Sequence, residues 1–100
     1  MNTELLKKYN MLSLDEYKAM YGDTADTERT FFQTFLMQTD HIPAKLFEAF
    51  IETMTSDNVS IGNMIKFLKD VKTEYADVLA ARKTARVEIN RIESELAAGA

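Results

Sequence analysis

The sequence predicts an all-α fold in which three or four short helices form a small bundle packed on a long C-terminal helix. Helix-breaking residues are scarce, with one Pro and three Gly in 100 residues. From Val71 onward, apolar residues recur at alternating steps of four and three, the spacing of a helix that packs through one narrow stripe. This length suits a single domain, with short helices over residues 1–58 and the long helix over 59–97.

Two short helices are expected at the start of the chain. Residues 2–9 carry a small apolar side, whereas the second helix has clear boundary signals. Ser13 and Glu16 have the spacing of a capping box, and Gly22 stands where a helix C′ glycine is common. The second helix is therefore predicted over residues 14–21.

Two longer helices with broad apolar faces follow. The third is predicted over about 27–38, and the fourth begins at a cap formed by Asp40 or Thr39. Pro43 then falls in the first turn, where its missing N–H does no harm. Because five of the six Phe lie between positions 31 and 50, the core is predicted there, packed on the first half of the last helix.

The last helix is long for a domain of 100 residues. Starting near Ser60, it would run about 37 residues or roughly 55 Å, against a radius of gyration of about 13 Å for a compact domain of this size. It must overhang, meet a partner, or break near Lys72–Thr73 and fold back. An overhanging distal half would expose the stripe, which consists of Tyr75, Val78, Arg82, Ala85, Ile89, Ile92 and Leu96.

These seven residues form the predicted self-association surface. The short N-terminal helices are expected to leave the distal part of the stripe uncovered, so the leading hypothesis is a non-enzymatic structural or interaction protein that forms a homo-oligomer. Replacing Ile89 and Ile92 with Glu is then expected to abolish assembly without unfolding residues 1–75.

Arg82 interrupts the apolar stripe, and three interpretations are open. Its stem could cover apolar surface at a seam while the charge reaches water. It could fix register by pairing with an acid on a partner. Alternatively, the stripe could bend away here and leave Arg82 exposed. The first interpretation is slightly favoured.

The net charge of −4 is unevenly distributed. Residues 1–59 hold five bases and ten acids, a balance of −5, whereas residues 60–100 hold seven bases and six acids, a balance of +1. An acidic chain repels phosphate backbones, so nucleic-acid binding is not expected. The acidic half also motivates a rival hypothesis, a monomeric acidic inhibitor or adaptor that binds a host protein.

Catalytic and cofactor signatures are missing from the sequence. There is no Cys, and His41 is the single histidine, expected at a helix terminus on the surface. Glu48 and Glu52 lie four apart, on a helix face opposite the apolar stripe, so a solvated face is the favoured interpretation. No enzyme activity, cofactor or metal site is therefore predicted.

Targeting signals are also missing. No run of eighteen apolar residues predicts a membrane span. The first residues lack the basic segment and following apolar run of a secretory signal. A cytoplasmic protein or a virion component is expected.

Two segments, "TDHIPAKLFEAF" (Thr39–Phe50) and "YADVLAARKTARVEIN" (Tyr75–Asn90), carry a family resemblance. They resemble small helical proteins encoded by phages and prophages of Gram-positive bacteria, in which TD-x4-K-x2-E precedes Y-x6-R-x3-R-x2-IN. The matching positions are Thr39, Asp40, Lys45, Glu48, Tyr75, Arg82, Arg86, Ile89 and Asn90. The resemblance covers about half of the chain and implies an accessory virion or prophage component, with no assigned activity and no site residues.

Overall fold

A computed structural model describes residues 1–57 and 59–99, which contain five helices and no strand. The helices are α1 (Thr3–Lys8), α2 (Leu14–Tyr21), α3 (Ala25–Thr39), α4 (His41–Thr55) and α5 (Ile61–Ala98). The predicted all-α class with a long C-terminal helix is confirmed. None of the described helices combines the length and hydropathy needed to cross a membrane.

Side-chain caps set several helix ends, as the sequence predicts. The Ser13 hydroxyl accepts from the Glu16 amide at 3.2 Å, and the Glu16 carboxylate accepts from the Ser13 backbone, which completes the capping box. Gly22 ends α2 with a φ of 111°, a conformation that L side chains rarely adopt. At the start of α5, the Ser60 hydroxyl accepts from the Asn63 amide at 3.1 Å.

The third and fourth helices form one kinked rod. Asp40, the single residue between them, has helical angles (φ −59°, ψ −29°). Pro43 lacks the N–H that would bond to the carbonyl of Thr39, so the helical ladder is interrupted at this point. The predicted cap at Asp40 is wrong, because its side chain makes no capping hydrogen bond to α4.

This rod runs antiparallel to α5. Glu28 pairs with Arg91, Leu36 with Arg82, and Phe50 with Phe67, so residue numbers rise along one rod as they fall along the other. The molecule measures 54 × 29 × 16 Å and its radius of gyration is 17.2 Å. Within the described residues α5 neither breaks near Lys72–Thr73 nor overhangs, since α3 and α4 accompany it.

The N-terminal helices pack at one end of this long hairpin. The ring of Tyr17 in α2 lies 5.6 Å from that of Phe31, and Lys18 lies 3.7 Å from Glu28. The buried apolar core consists of Leu6, Phe31, Phe32, Phe35, Ile42, Val78, Ala85 and Ile92. We call α1, α2, α3 and residues 75–98 of α5 the body, and α4 with residues 61–74 the tip hairpin.

The two halves of α5 have roles opposite to those predicted. The distal part, residues 75–98, expected to be free to protrude, supplies Val78, Ala85 and Ile92 to the core, while residues 61–74 supply no buried residue. The reason is topological. Because the rod of α3 and α4 runs antiparallel to α5, positions equally distant from the connection between α4 and α5 lie side by side, so Phe31 and Phe35 meet the distal part of α5. The Phe-rich core therefore forms there.

Candidate functional site

The predicted self-association stripe is largely covered within the chain. Val78, Ala85 and Ile92 are at most 2% exposed, and Tyr75 and Ile89 are half-buried against the same core. Of the apolar stripe residues, Leu96 alone is exposed. Because α3 packs on this part of α5, the stripe stabilises the monomer. Placing Glu at Ile92 would bury a charge in the core, so the double Glu substitution is expected to unfold the body.

Arg82 makes a three-point clamp on the end of α3. Its Nη1 donates to the Leu36 carbonyl at 2.9 Å and to the Thr39 hydroxyl at 2.6 Å. Its Nη2 donates to the Asp40 carboxylate at 2.9 Å. The Arg82 side chain is 11% exposed, whereas that of Asp40 is 65% exposed.

The clamp stabilises the kink between α3 and α4. Thr39 is fully buried, and its hydroxyl donates to the Phe35 carbonyl at 2.8 Å while accepting from Arg82. The cation also lies at the C-terminal end of α3, where the helix dipole favours positive charge. Arg82 thus occupies a packed seam, as the first interpretation holds, but its charge does not reach water as that interpretation expected, because the guanidinium bonds to α3 and to Asp40 of its own chain. It is not exposed by a bend in the stripe.

The largest uncovered feature lies on the tip hairpin. Phe47, Phe50 and Met54 recur at helical spacing on α4, and Ile61, Ile65 and Leu68 do so on α5. Phe50, Met54 and Leu68 line one groove between the helices, so both rows lie on the same side of the hairpin. Seven large side chains, each between 38% and 77% exposed, make up this apolar face: Phe47, Phe50, Ile51, Met54, Ile61, Ile65 and Leu68.

The apolar face is large for an isolated chain. Taking roughly 200 Å² for a fully exposed large side chain, its seven residues present roughly 750 Å² to solvent. The largest apolar patch on a typical monomer is about 300–600 Å². Each partner in a standard-size protein interface contributes about 800 Å². The face therefore has the area of an interface.

The two sides of the tip hairpin differ in polarity. The apolar groove holds about 50 Å³, well below the roughly 300–1,000 Å³ of small-molecule pockets. The other side has an open groove lined by Glu52, Ser56, Lys66 and Asp70 among others. The apolar side thus has the shape and chemistry to contact protein side chains.

Charges border the apolar face asymmetrically. Glu48 follows Phe47 on the α4 side, whereas Lys69 and Lys72 follow Leu68 on the α5 side. All three side chains are exposed, and within residues 1–57 and 59–99 none of them makes an ion pair. The edge charges of the tip hairpin are therefore available to another molecule.

Each ion pair among the described residues involves a charge of the body. Arg91 donates to Glu88 at 2.7 Å and to Glu95 at 3.1 Å, and these hydrogen bonds raise its pKa above the ordinary value. The same guanidinium reaches Glu28 on α3 at 3.2 Å. The body thus uses its charges to join its own helices.

The residues considered for chemistry are dispersed. His41 is exposed, with its ring 6.3 Å from that of Tyr9. Glu48 and Glu52 are exposed on α4. Glu52 lines the polar groove, whereas Glu48 lies at the outer edge of α4, between that groove and the apolar face. Among the described residues, no three His, Asp or Glu side chains come together as a metal site would require.

Sequence reasoning assigned the apolar face to the core and missed it as a surface. The sequence nevertheless contained a signal for this surface, which is the width of the apolar arc around each helix. Apolar residues on α4 occupy positions 46, 47, 50, 51 and 54, and those at the start of α5 occupy 61, 64, 65, 67 and 68. Each set spans a wider arc than one neighbouring helix can cover.

The clamp also gives a structural meaning to the segments that carry the phage-protein resemblance. Thr39 and Asp40 come from the first segment and Arg82 from the second, and Arg82 contacts both.

Comparison of the chain with protein-family models, curated proteins and solved structures finds no match.

Proposed function

We propose that this protein is a non-enzymatic interaction protein that assembles through the proximal half of its C-terminal helix together with α4. The observation that carries the proposal is the apolar face, which has the area of a protein interface. The previously predicted stripe is replaced by this face as the self-association surface, because α3 occupies the stripe.

The bordering charges and the groove support a protein partner. The apolar groove is too narrow for a small-molecule ligand, whereas exposed Phe and Met side chains resemble the central anchors of protein interfaces. The face also lies away from the paired charges of the body. Assembly would therefore leave the body unchanged.

The proposal is tested by solution mass, measured by size-exclusion chromatography with light scattering over a range of concentrations. The wild-type chain is expected to reach at least twice its monomer mass as concentration rises. Replacing Ile65 and Leu68 with Glu is expected to leave a monomer, because four charges would be buried in a dimer interface.

A matched control uses Val87→Glu, which introduces the same charge at a 55% exposed apolar position on the distal half of α5. This variant should assemble as the wild type does. Both proteins should retain the wild-type helical circular dichroism. A wild-type chain that stays monomeric at every concentration would contradict the proposal.

A second candidate function, a monomeric acidic inhibitor or adaptor, is favoured by the balance of −5 in residues 1–59. Exposed Asp15, Glu16 and Asp23 contribute to this charge on and after α2. A monomer that binds one basic protein with an affinity that falls steeply with salt would support this candidate.

A phage or prophage origin of the protein is part of the same proposal. The resemblance of residues 39–50 and 75–90 to small phage and prophage proteins supports an accessory virion or prophage component. Because Arg82 donates hydrogen bonds to both Thr39 and Asp40, the shared pattern would preserve the junction of α3 and α4 on α5.

A further inference from the structure

The apolar face admits two symmetric ways of packing a second copy face to face. With the two-fold axis along the helices, each α4 lies on the partner's α5, and the two bodies lie at the same end. With the axis across the helices, α4 lies on α4 and α5 on α5, and the bodies lie at opposite ends. Both give four antiparallel helices, so helix direction does not distinguish them.

The bordering charges do distinguish them. Phe50 and Phe67 lie opposite each other, so Glu48 lies level with Lys69 on the neighbouring helix. A two-fold axis along the helices keeps these levels and sets Glu48 of one copy beside Lys69 and Lys72 of the other. An axis across the helices instead sets acid beside acid and Lys beside Lys, which is unfavourable.

The body does not obstruct the same-end arrangement. Helix α1 packs beside Glu74 and Asp77 of α5. Glu74 and Asp77 lie on the same face of α5 as Asn63, Lys66 and Asp70. Those three residues line the polar groove on the other side of the hairpin. Helix α1 therefore lies on the side opposite the apolar face.

We infer that two copies of this chain pair through their tip hairpins as a same-end four-helix bundle, with α4 of each copy on α5 of the other. This inference rests on the proposed function, which requires only that the face mediates assembly. Opposite charges then meet along both edges of the bundle, and the seven side chains of the face form its centre.

Distance between spin labels tests the orientation. The chain has no Cys, so Ser94→Cys provides one label near the far end of α5. In a same-end dimer the labels should lie within roughly 40 Å, because packed helices are roughly 10 Å apart. In an opposite-end dimer they should be separated by roughly 80 Å or more, from the rise per helical residue. A dimer with only the long distance would overturn the inference.

Charge exchange tests the contacts independently. Glu48→Lys alone and Lys69→Glu with Lys72→Glu should each weaken the dimer about tenfold at low salt, since two edges change from attraction to repulsion. Combining all three substitutions should restore the wild-type Kd, measured by sedimentation equilibrium. Lys66→Glu on the polar side is the matched control and should leave the Kd unchanged.

The outcomes separate the inference from the proposed function. A wild-type chain that is always monomeric contradicts both. A dimer that is abolished by Glu at Ile65 and Leu68, yet shows no recovery on charge exchange, retains the proposed function and overturns the same-end orientation.

Discussion

The body and the tip hairpin are made from the same two helical rods, yet they bury very different side chains. In the body, Phe31 and Phe35 are at most 1% exposed, and α1 and α2 add a further layer of packing. In the tip hairpin, Phe47 and Phe50 are 66% and 43% exposed on a continuation of the same rod. The difference teaches that an aromatic-rich amphipathic helix forms a core only where a third element covers it.

Ion pairing follows the same division. The body joins its helices through Lys18, Glu28, Arg82 and Arg91, whereas the edge charges of the tip hairpin are unpaired within the described chain. The tip hairpin retains the features of half an interface. The following predictions test this comparison.

The largest effect is expected in the body core. Phe35→Ala should lower the free energy of unfolding by about 3–5 kcal/mol, because a fully buried ring leaves a cavity. The matched control, Phe47→Ala on the tip hairpin, should change it by less than about 1 kcal/mol. Urea unfolding followed by circular dichroism, at a concentration where both are monomers, measures the two values. Equal losses would remove the distinction between body and tip.

A smaller effect is expected at the junction of the two regions. Arg82→Met keeps the apolar stem but removes the donors to Leu36, Thr39 and Asp40, and should cost about 1–3 kcal/mol.

The control for the clamp is Asp40→Asn, which weakens only the most exposed of its three contacts. It should cost less than about 1 kcal/mol. Urea unfolding of both variants gives the comparison. If the Asp40→Asn variant lost as much stability as the Arg82→Met variant, the surface ion pair would account for most of the stability that the clamp provides.

The smallest effect concerns the start of α5. Gly62→Ala should raise stability by about 0.4–1 kcal/mol, because an added Cβ meets only the Ser60 hydroxyl at 3.8 Å and the unfolded chain loses freedom. Hydrogen exchange should show slower opening in residues 61–74 with little change in the body.

The substitution Gly22→Ala is expected to change stability in the opposite direction. At a φ of 111° an Ala is strained, so stability should fall. A gain in stability at Gly22 would mean that α2 ends differently in solution.

Local features of the fold were predictable from the sequence. The bounds of α2 were predicted as they are found, because Ser13, Glu16 and Gly22 act on backbone groups only a few residues away. A long C-terminal helix was likewise predicted from composition and periodicity, but a break near Lys72–Thr73 was left open and only the structure shows that α5 is continuous there. The predicted self-association stripe is largely buried within the chain, which the sequence did not reveal, since periodicity identifies an apolar stripe without identifying what covers it.

By itself, the sequence determined the all-α class, the bounds of α2 and the wide apolar arcs of α4 and α5, because these depend on interactions within one or two turns. Only the tertiary structure decided that α3 covers the distal stripe and that the apolar face stays open. It also decided the partners of Arg82, which lie 42 to 46 residues away. The physical reason is that the antiparallel packing of α3 and α4 on α5 sets which distant positions meet, and side-chain periodicity does not specify that pairing.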